Sequence, residues 1–214
     1  MKKGIIFDLD GTMWDSSQLV TEAYNRGLER MGYSMRLTLS DIRSAMGKTM
    51  IEIAHMFFDS IDPSRAENIM TECIEEERIY LESNSGDVYD GLEDVLKELR
   101  EMGYFIACVS NCQSGYIEAF YESTGLGHYF DDKECWGGTG LSKAGNIRLV
   151  VERNRLDDAI YVGDTRGDYD SAMAAGTRFI HAAYGYGEVP EGTPKIDSIR
   201  ELPETADRLG ILSK

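Results

Sequence analysis

Short apolar runs alternate with amphipathic segments along most of this chain, and this alternation limits the folds open to it. The apolar runs have the length of buried strands and occupy residues 3–8, 104–109, 159–162 and 179–182. The segments between them have helical spacing and occupy residues 91–102, 114–124, 143–154 and 167–175. Strands that alternate with helices in this way predict an α/β fold, in which a parallel sheet has helices on both faces.

Residues 15–84 interrupt the alternation, because they show helical patterns and no convincing strand pattern. Helices are expected near residues 16–31, 40–46, 48–58 and 64–83. An all-helical insertion directly after the first strand predicts a separate small domain. We therefore expect an α/β core domain at 1–14 and 85–214, with a helical domain at 15–84 inserted into it.

The charge composition limits the partners of the protein. Asp and Glu number 38 against 22 Lys and Arg, which gives a formal net charge of −16. This excess disfavours nucleic acids and anionic membranes, since both are polyanions. The acidic run Glu75, Glu76 and Glu77 is expected to face solvent. No apolar segment approaches the roughly 18 residues of a membrane span, and the cysteines form no CxxC pattern. We therefore expect a cytoplasmic protein. It is expected to be either a monomer or a homodimer.

Polar residues follow the predicted strands at the points where each strand ends. They are Asp8, Asp10, Gly11 and Thr12 after the first strand, Ser110 and Asn111 after the second, Lys143 at the start of a helix, and Asp164 and Asp168 after the third strand. In an open α/β sheet, ligands bind beyond the carboxyl ends of the strands. Acids at the end of a buried apolar strand are costly unless they are paired. These residues therefore predict a functional site at one rim of the sheet.

The order of these motifs resembles that of the haloacid dehalogenase superfamily of Mg²⁺-dependent phosphohydrolases. DLDGT, SN, a later lysine and GDTRGD follow one another as in that family, and the resemblance covers essentially the whole chain. It implies a Rossmann-like parallel-sheet core, and the helical insertion is similar to the α-helical cap of phosphoglycolate phosphatase-like members. The implied function is that of a Mg²⁺-dependent phosphatase, which hydrolyses a small phosphorylated metabolite through an aspartyl-phosphate.

Charge explains why phosphoryl transfer to a carboxylate needs a metal. Two like unit charges about 4 Å apart at an effective dielectric constant near 20 repel by roughly 4 kcal/mol, and a divalent cation between them reverses the sign. The resemblance implies that Asp8 is the nucleophile and a metal ligand, together with Asp164 and Asp168. It also implies that Asp10 is the general acid and base, and that its backbone carbonyl binds the metal.

The resemblance assigns the remaining motif residues to the phosphoryl group. The amides of the turn at Gly11, the Ser110 side chain and the Asn111 backbone are expected to cradle phosphoryl oxygens. Lys143 is expected to balance the charge of Asp8 and of the phosphoryl group, and the Thr12 hydroxyl is expected to support the loop.

Asp10 narrows the chemistry, because dehalogenases and phosphonatases of this superfamily lack an acid at that position. Phosphatase and phosphomutase remain. Sugar-phosphate mutases with this kind of cap often carry a histidine in the first cap helix, where this chain has Leu19, Val20 and Thr21. A phosphatase is therefore favoured and a mutase stays open as the alternative. A phospho-accepting receiver-type domain and a non-catalytic binding protein are further alternatives, although a receiver domain needs no helical cap.

One residue of the inserted domain is a candidate for contact with the substrate. Lys48 lies in the segment Met46-Gly47-Lys48-Thr49, between two predicted helices, where related caps place a substrate-specificity loop. It is expected either to meet a substrate anion when the cap closes or to be a solvated lysine at the start of a helix.

Overall fold

The computed structural model describes residues 2–81, 84 and 86–211. Its strands are β1 (Lys3–Phe7), β2 (Trp14–Asp15), β3 (Asp87–Val88), β4 (Phe105–Ser110), β5 (Asp132–Cys135), β6 (Asp158–Gly163), β7 (Arg178–Ala182) and β8 (Lys195–Ile196). Six of them form one sheet in the order β5-β4-β1-β6-β7-β8, and all neighbouring pairs in it are parallel. The predicted parallel α/β fold is confirmed.

The register of the central strands brings their carboxyl ends to one edge. Phe7 at the end of β1 pairs with Cys108 in β4 and with Val162 in β6. The amide of Asp8 then donates a hydrogen bond to the Val162 carbonyl at 2.8 Å, which keeps Asp8 in line with the sheet. The residues that follow the three strands therefore lie side by side at this edge.

The helices of the inserted segment are close to the predicted ones. They are α1 (Ser17–Arg30), α2 (Leu39–Ala45), α3 (Met50–Phe58) and α4 (Ala66–Leu81). Helix α1 packs tightly on α4. Gly27 allows this close approach, since a Cβ atom there would lie only 3.3 Å from the Cα of Cys73. The predicted end of the fourth helix at 83 and the predicted start of the second core segment at 85 lie outside the described residues.

The remaining helices cover both faces of the sheet. They are α5 (Leu92–Glu101), α6 (Tyr116–Thr124), α7 (Trp136–Thr139), α8 (Lys143–Arg153), α9 (Arg166–Ala175) and α10 (Leu202–Ala206). Successive residues of β1 belong to different apolar clusters, since Ile5 packs with α5, α6 and α10 while Ile6 packs with α8 and α9. Across the described ranges, no helix combines the length and apolar character that a membrane crossing requires.

Four short strands were not predicted. Strand β5 has the sequence DKEC, and its first three residues are only half-buried, so it lacks the apolar run of a buried strand. Strand β8 and the antiparallel pair of β2 and β3 have two residues each, too few to show a period. The pair joins the chain just before α1 to the chain just after α4.

The prediction that the acidic run faces solvent is right for Glu75 and wrong for its two neighbours. Glu76 is buried and forms an ion pair with Arg30 at 2.6 Å. Glu77 is 2% exposed and accepts a hydrogen bond from Gln113, which lies beyond the end of β4. Helix α4 therefore lies between α1 and the sheet edge, so only one side of the helix is exposed.

Candidate active site

The carboxyl edge of the sheet brings together the acids and the lysine that were predicted to meet there. Asp8 extends β1, Asp164 extends β6, Asp168 lies in the first turn of α9, and Lys143 begins α8. All four side chains are almost completely buried. Ser110, at the end of β4, lies beside them and lines the same pocket as Asp8.

Lys143 joins two of these acids. Its Nζ lies 2.9 Å from Asp8 Oδ1 and 2.6 Å from Asp168 Oδ1. Oxygens of Asp8, Asp164 and Asp168 all lie within 4.8 Å of one another. Three carboxylates against one ammonium leave two negative charges uncompensated in a buried cluster.

Burial, together with the shortage of positive charge, raises the pKa values of Asp8 and Asp164. Burial, and then the charge of Asp168, raises the pKa of Asp8 to about 7 although Lys143 opposes the shift. Burial, followed by the charges of Asp168 and Asp8, also raises the pKa of Asp164 well above its usual range. Burial lowers the pKa of Lys143, but the two carboxylates beside it outweigh burial and raise it. The cluster therefore favours a bound cation.

The acidic cluster fits a magnesium ion. Asp164 Oδ1 is buried and has no hydrogen-bond partner among the described residues, so one hard oxygen ligand is unsatisfied. Its other oxygen accepts a hydrogen bond from the Tyr186 amide at 2.7 Å, which orients the carboxylate. Gly11 has φ = +80°, and its turn lies so close to Asp164 that a Cβ atom on Gly11 would be 2.3 Å from Asp164 Oδ2. Only glycine fits this turn without displacing the acid.

Asp168 has a structural role as well as its place in the cluster. Thr165 is the N-cap of α9, and its amide and hydroxyl both donate to Asp168 Oδ2, at 2.9 and 2.6 Å. Asp168 thus completes a capping box while its other oxygen accepts the hydrogen bond from Lys143. These contacts hold Asp168 and Lys143 in fixed positions beside Asp8.

The Asp10 carboxylate points away from the three-acid cluster. Its Oδ1 accepts hydrogen bonds from Trp14 Nε1 at 3.0 Å, Ser16 Oγ at 2.5 Å and Tyr116 Oη at 3.0 Å. Burial raises the pKa of Asp10, and these three hydrogen bonds oppose the rise. The side chain lines the pocket with Asp8, so its carboxyl is in place to exchange a proton with a ligand there.

The backbone amides of Gly11 and Thr12 have hydrogen-bond partners within the turn. The Gly11 amide donates to the Trp14 carbonyl at 2.9 Å and the Thr12 amide to the Leu9 carbonyl at 3.2 Å, so both are used within the turn. The Thr12 hydroxyl was expected to support the loop, but it is buried with no hydrogen-bond partner in the described part of the chain. Gly11 and Thr12 therefore shape the turn.

Ser110 and Asn111 both line the pocket. Ser110 Oγ accepts a hydrogen bond from the Cys112 amide at 3.3 Å, which leaves its proton available to a ligand. The Asn111 side chain reaches the inserted segment and donates to the Gly47 carbonyl at 2.8 Å. This contact holds the loop between α2 and α3 over the acidic cluster.

The inserted helices form the far wall of the pocket. Lys48 is exposed and lines the same pocket as Asp8. Arg43, from α2, forms an ion pair with Asp15 at 3.0 Å. The loop that carries Lys48 thus lines the same pocket as Asp8.

Several residues of the site were not predicted. They are Trp14, Ser16 and Tyr116 around Asp10, and Glu77 and Gln113 on the pocket wall. They reach the site from the two-residue strand β2 and from helices and loops, where no motif marks them.

Comparisons with known proteins agree with this geometry. Residues 5–182 match the family model of the haloacid dehalogenase-like hydrolases. A phosphoglycolate phosphatase of Rhodobacter capsulatus is 30% identical over 198 residues, which cover 89% of this chain and 88% of that protein. A second phosphoglycolate phosphatase, from Aliivibrio fischeri, is 28% identical over 208 residues, which cover 92% of this chain and 89% of that protein.

Solved structures show the same fold. CbbY from Rhodobacter sphaeroides in complex with phosphate superposes with a TM-score of 0.79 at 20% identity, over 94% of this chain and 96% of that one. The match to the family model spans most of the sequence, including the motifs that build the acidic cluster. The chain therefore belongs to the haloacid dehalogenase-like hydrolases and is a phosphatase.

Proposed function

We propose that this protein is a Mg²⁺-dependent phosphatase that hydrolyses a small phosphorylated metabolite through an aspartyl-phosphate on Asp8. The observation that carries the proposal is the buried group of Asp8, Asp164 and Asp168, in which Lys143 balances only one of three charges. The unsatisfied Asp164 oxygen supports a metal at this point. Asp8, Asp164 and Asp168 would hold the Mg²⁺ with the Asp10 carbonyl, and the ion would reduce the repulsion between Asp8 and the phosphoryl group.

In the first step, an oxygen of Asp8 attacks the phosphorus atom and the bond to the leaving oxygen breaks. Lys143 neutralises charge on Asp8 and on the phosphoryl oxygens, and the Ser110 hydroxyl and the Asn111 backbone amide donate hydrogen bonds to these oxygens. The fixed position of Lys143 between Asp8 and Asp168 supports this role.

Asp10 carries the proton in both steps. It first gives a proton to the leaving oxygen as the alcohol departs, and it then accepts a proton from the water that attacks the phosphorus atom. The second step breaks the bond between Asp8 and phosphorus and releases inorganic phosphate. The three hydrogen bonds to Asp10 Oδ1 support this role, because they orient the carboxyl.

The helical segment 15–84 acts as a cap on a core formed by 1–14 and 85–214, and it selects the leaving group while excluding water. The contact of Asn111 with Gly47, which joins the core to the loop between α2 and α3, supports this role. Phosphoglycolate is the substrate in the names of the relatives, which makes it the reference ester for tests of this enzyme. We place the protein in the cytoplasm, as a monomer or a homodimer.

Removal of the metal or of the nucleophile is expected to abolish phosphate release from p-nitrophenyl phosphate. EDTA should stop turnover and added MgCl₂ should restore it, and Asp8→Asn should lower kcat by at least roughly a thousandfold. Asp90→Asn, whose side chain is 94% exposed, is the matched control and should keep full activity. Activity that persists in Asp8→Asn would contradict the nucleophile assignment. Isomerisation of a sugar phosphate without phosphate release would support a mutase instead.

Replacement of the acid and base is expected to separate the two steps. Asp10→Asn should lower kcat by about 10² to 10⁴, because neither the leaving oxygen nor the attacking water then exchanges a proton with the enzyme. With a ³²P-labelled ester, acid quenching should recover more covalently labelled protein from Asp10→Asn than from the unmodified enzyme. An unchanged rate would show that Asp10 does not transfer the proton.

Lys48 is proposed to meet a substrate anion at the rim of the pocket. Lys48→Ala is then expected to raise KM by roughly tenfold with little change in kcat, since the lost attraction acts equally before and during the reaction. Lys97→Ala, an exposed lysine on α5, provides the control. Steady-state kinetics that give the same KM for both variants would make Lys48 a solvated surface residue.

A further inference from the structure

Glu77 is a buried carboxyl that the proposed reaction does not use. It lies near the carboxyl end of α4, is 2% exposed and lines the same pocket as Asp8 and Asp10. Gln113 Nε2 donates to Glu77 Oε2 at 2.7 Å, and this is the only hydrogen bond of the Glu77 side chain within the part of the chain described. The inserted segment thus presents an acid to the pocket close to the proton-transferring residue.

The two preceding acids of the run have cationic partners and Glu77 has none among the described residues. Glu75 forms an ion pair with Arg78 at 2.7 Å, and Glu76 pairs with Arg30 at 2.6 Å and with Arg26 at 3.6 Å. Burial, and then the charge of Asp10, raises the pKa of Glu77 to about 8. At pH 7 the carboxyl is therefore mostly protonated, and a hydrogen-bond donor or a cation from outside the chain would stabilise its charged form.

The surrounding wall is apolar. The side chains that α1, α2 and α3 contribute to it are Val20, Tyr24, Ile42, Ala45, Met50, Ile53 and Phe57. Among the described residues that line the pocket, Lys48 is the one cation. It follows Gly47, whose carbonyl accepts a hydrogen bond from Asn111, so Lys48 lies toward the phosphate side of the pocket. A carboxylate held near Glu77 would therefore meet an acid and hydrocarbon, with no cation to neutralise it.

We propose that Glu77 and Gln113 select a phosphate monoester whose leaving alcohol carries a hydrogen-bond donor, an amine or a hydroxyl, and that they disfavour a carboxylate there. The inference rests on the proposed phosphatase function and names the substrate class of that site. The Glu77 carboxyl accepts a hydrogen bond from either donor, and it forms an ion pair with an ammonium. Gln113, whose amide nitrogen is bound to Glu77, offers its carbonyl oxygen as a second acceptor.

Three two-carbon esters of similar size test the selection: 2-aminoethyl phosphate, 2-hydroxyethyl phosphate and 2-phosphoglycolate. The unmodified enzyme with Mg²⁺ is expected to give a kcat/KM for the amine or the hydroxyl ester at least about tenfold above that for phosphoglycolate. Glu77→Gln should reduce this ratio to within about threefold, chiefly through KM, and Glu77→Lys should reverse it. Glu75→Gln, at the exposed neighbour, should leave the ratio unchanged. A preference for phosphoglycolate in the unmodified enzyme, or an unchanged ratio in Glu77→Gln, would overturn the proposal.

Ester affinities measured by calorimetry test the selection independently of turnover, and a second variant replaces Glu77→Gln if that variant folds poorly. In Asp8→Asn, which is expected to bind without turnover, the amine or hydroxyl ester should bind more tightly than phosphoglycolate. Gln113→Leu, a second variant on the core side of the contact, should weaken this preference. If no ester is hydrolysed, p-nitrophenyl phosphate included, the proposed function fails, whereas the order of binding affinities still decides the selection. Equal or reversed affinities would overturn it.

Discussion

The contact of Lys143 with Asp8 and Asp168 is the interaction on which the rest of the site depends. It lies in the interior at the end of three parallel strands, where uncompensated charge is costly, and it leaves two of three acidic charges unbalanced. The sheet register fixes Asp8, the capping box of α9 fixes Asp168, and the glycine turn makes room for Asp164. These local devices hold like charges together against their repulsion. A divalent cation would supply the missing charge, and the same ion would allow a second anion, the phosphoryl group, to approach.

The parts of the site that follow strands were predictable because a parallel sheet collects the carboxyl ends of its strands at one edge. The positions of Asp8, Ser110 and Asp164 follow from this rule once the strands are recognised. The strands themselves were recognisable because β1, β4 and β6 are buried on both faces and read as continuous apolar runs. Strand β5 is a half-buried edge strand with polar residues, so the same rule did not reveal it.

Contacts between distant helices and loops were not predictable in this way. Tyr116 reaches Asp10 across 106 residues of sequence and Gln113 reaches Glu77 across 36, and no period or motif relates the partners. The acidic run on α4 shows the cause. The three glutamates are chemically alike, and only the placement of α4 between α1 and the sheet edge decides that Glu75 is exposed, Glu76 is paired and Glu77 faces the pocket. The proposed catalytic residues thus lie at strand ends and helix starts on one edge of the sheet, and the proposed selectivity comes from packing.

The thermal stability of the protein with and without Mg²⁺ tests the charge imbalance most directly. Binding to the folded state alone raises stability by about 2.7 kcal/mol at a hundredfold excess over Kd, so saturating MgCl₂ should raise Tm by several degrees relative to NaCl of equal ionic strength. Asp164→Asn removes one of the repelling charges, and it should melt at the same or a higher temperature than the unmodified protein in EDTA while losing the rise with Mg²⁺. No rise in the unmodified protein, or the same rise in Asp164→Asn, would contradict the account.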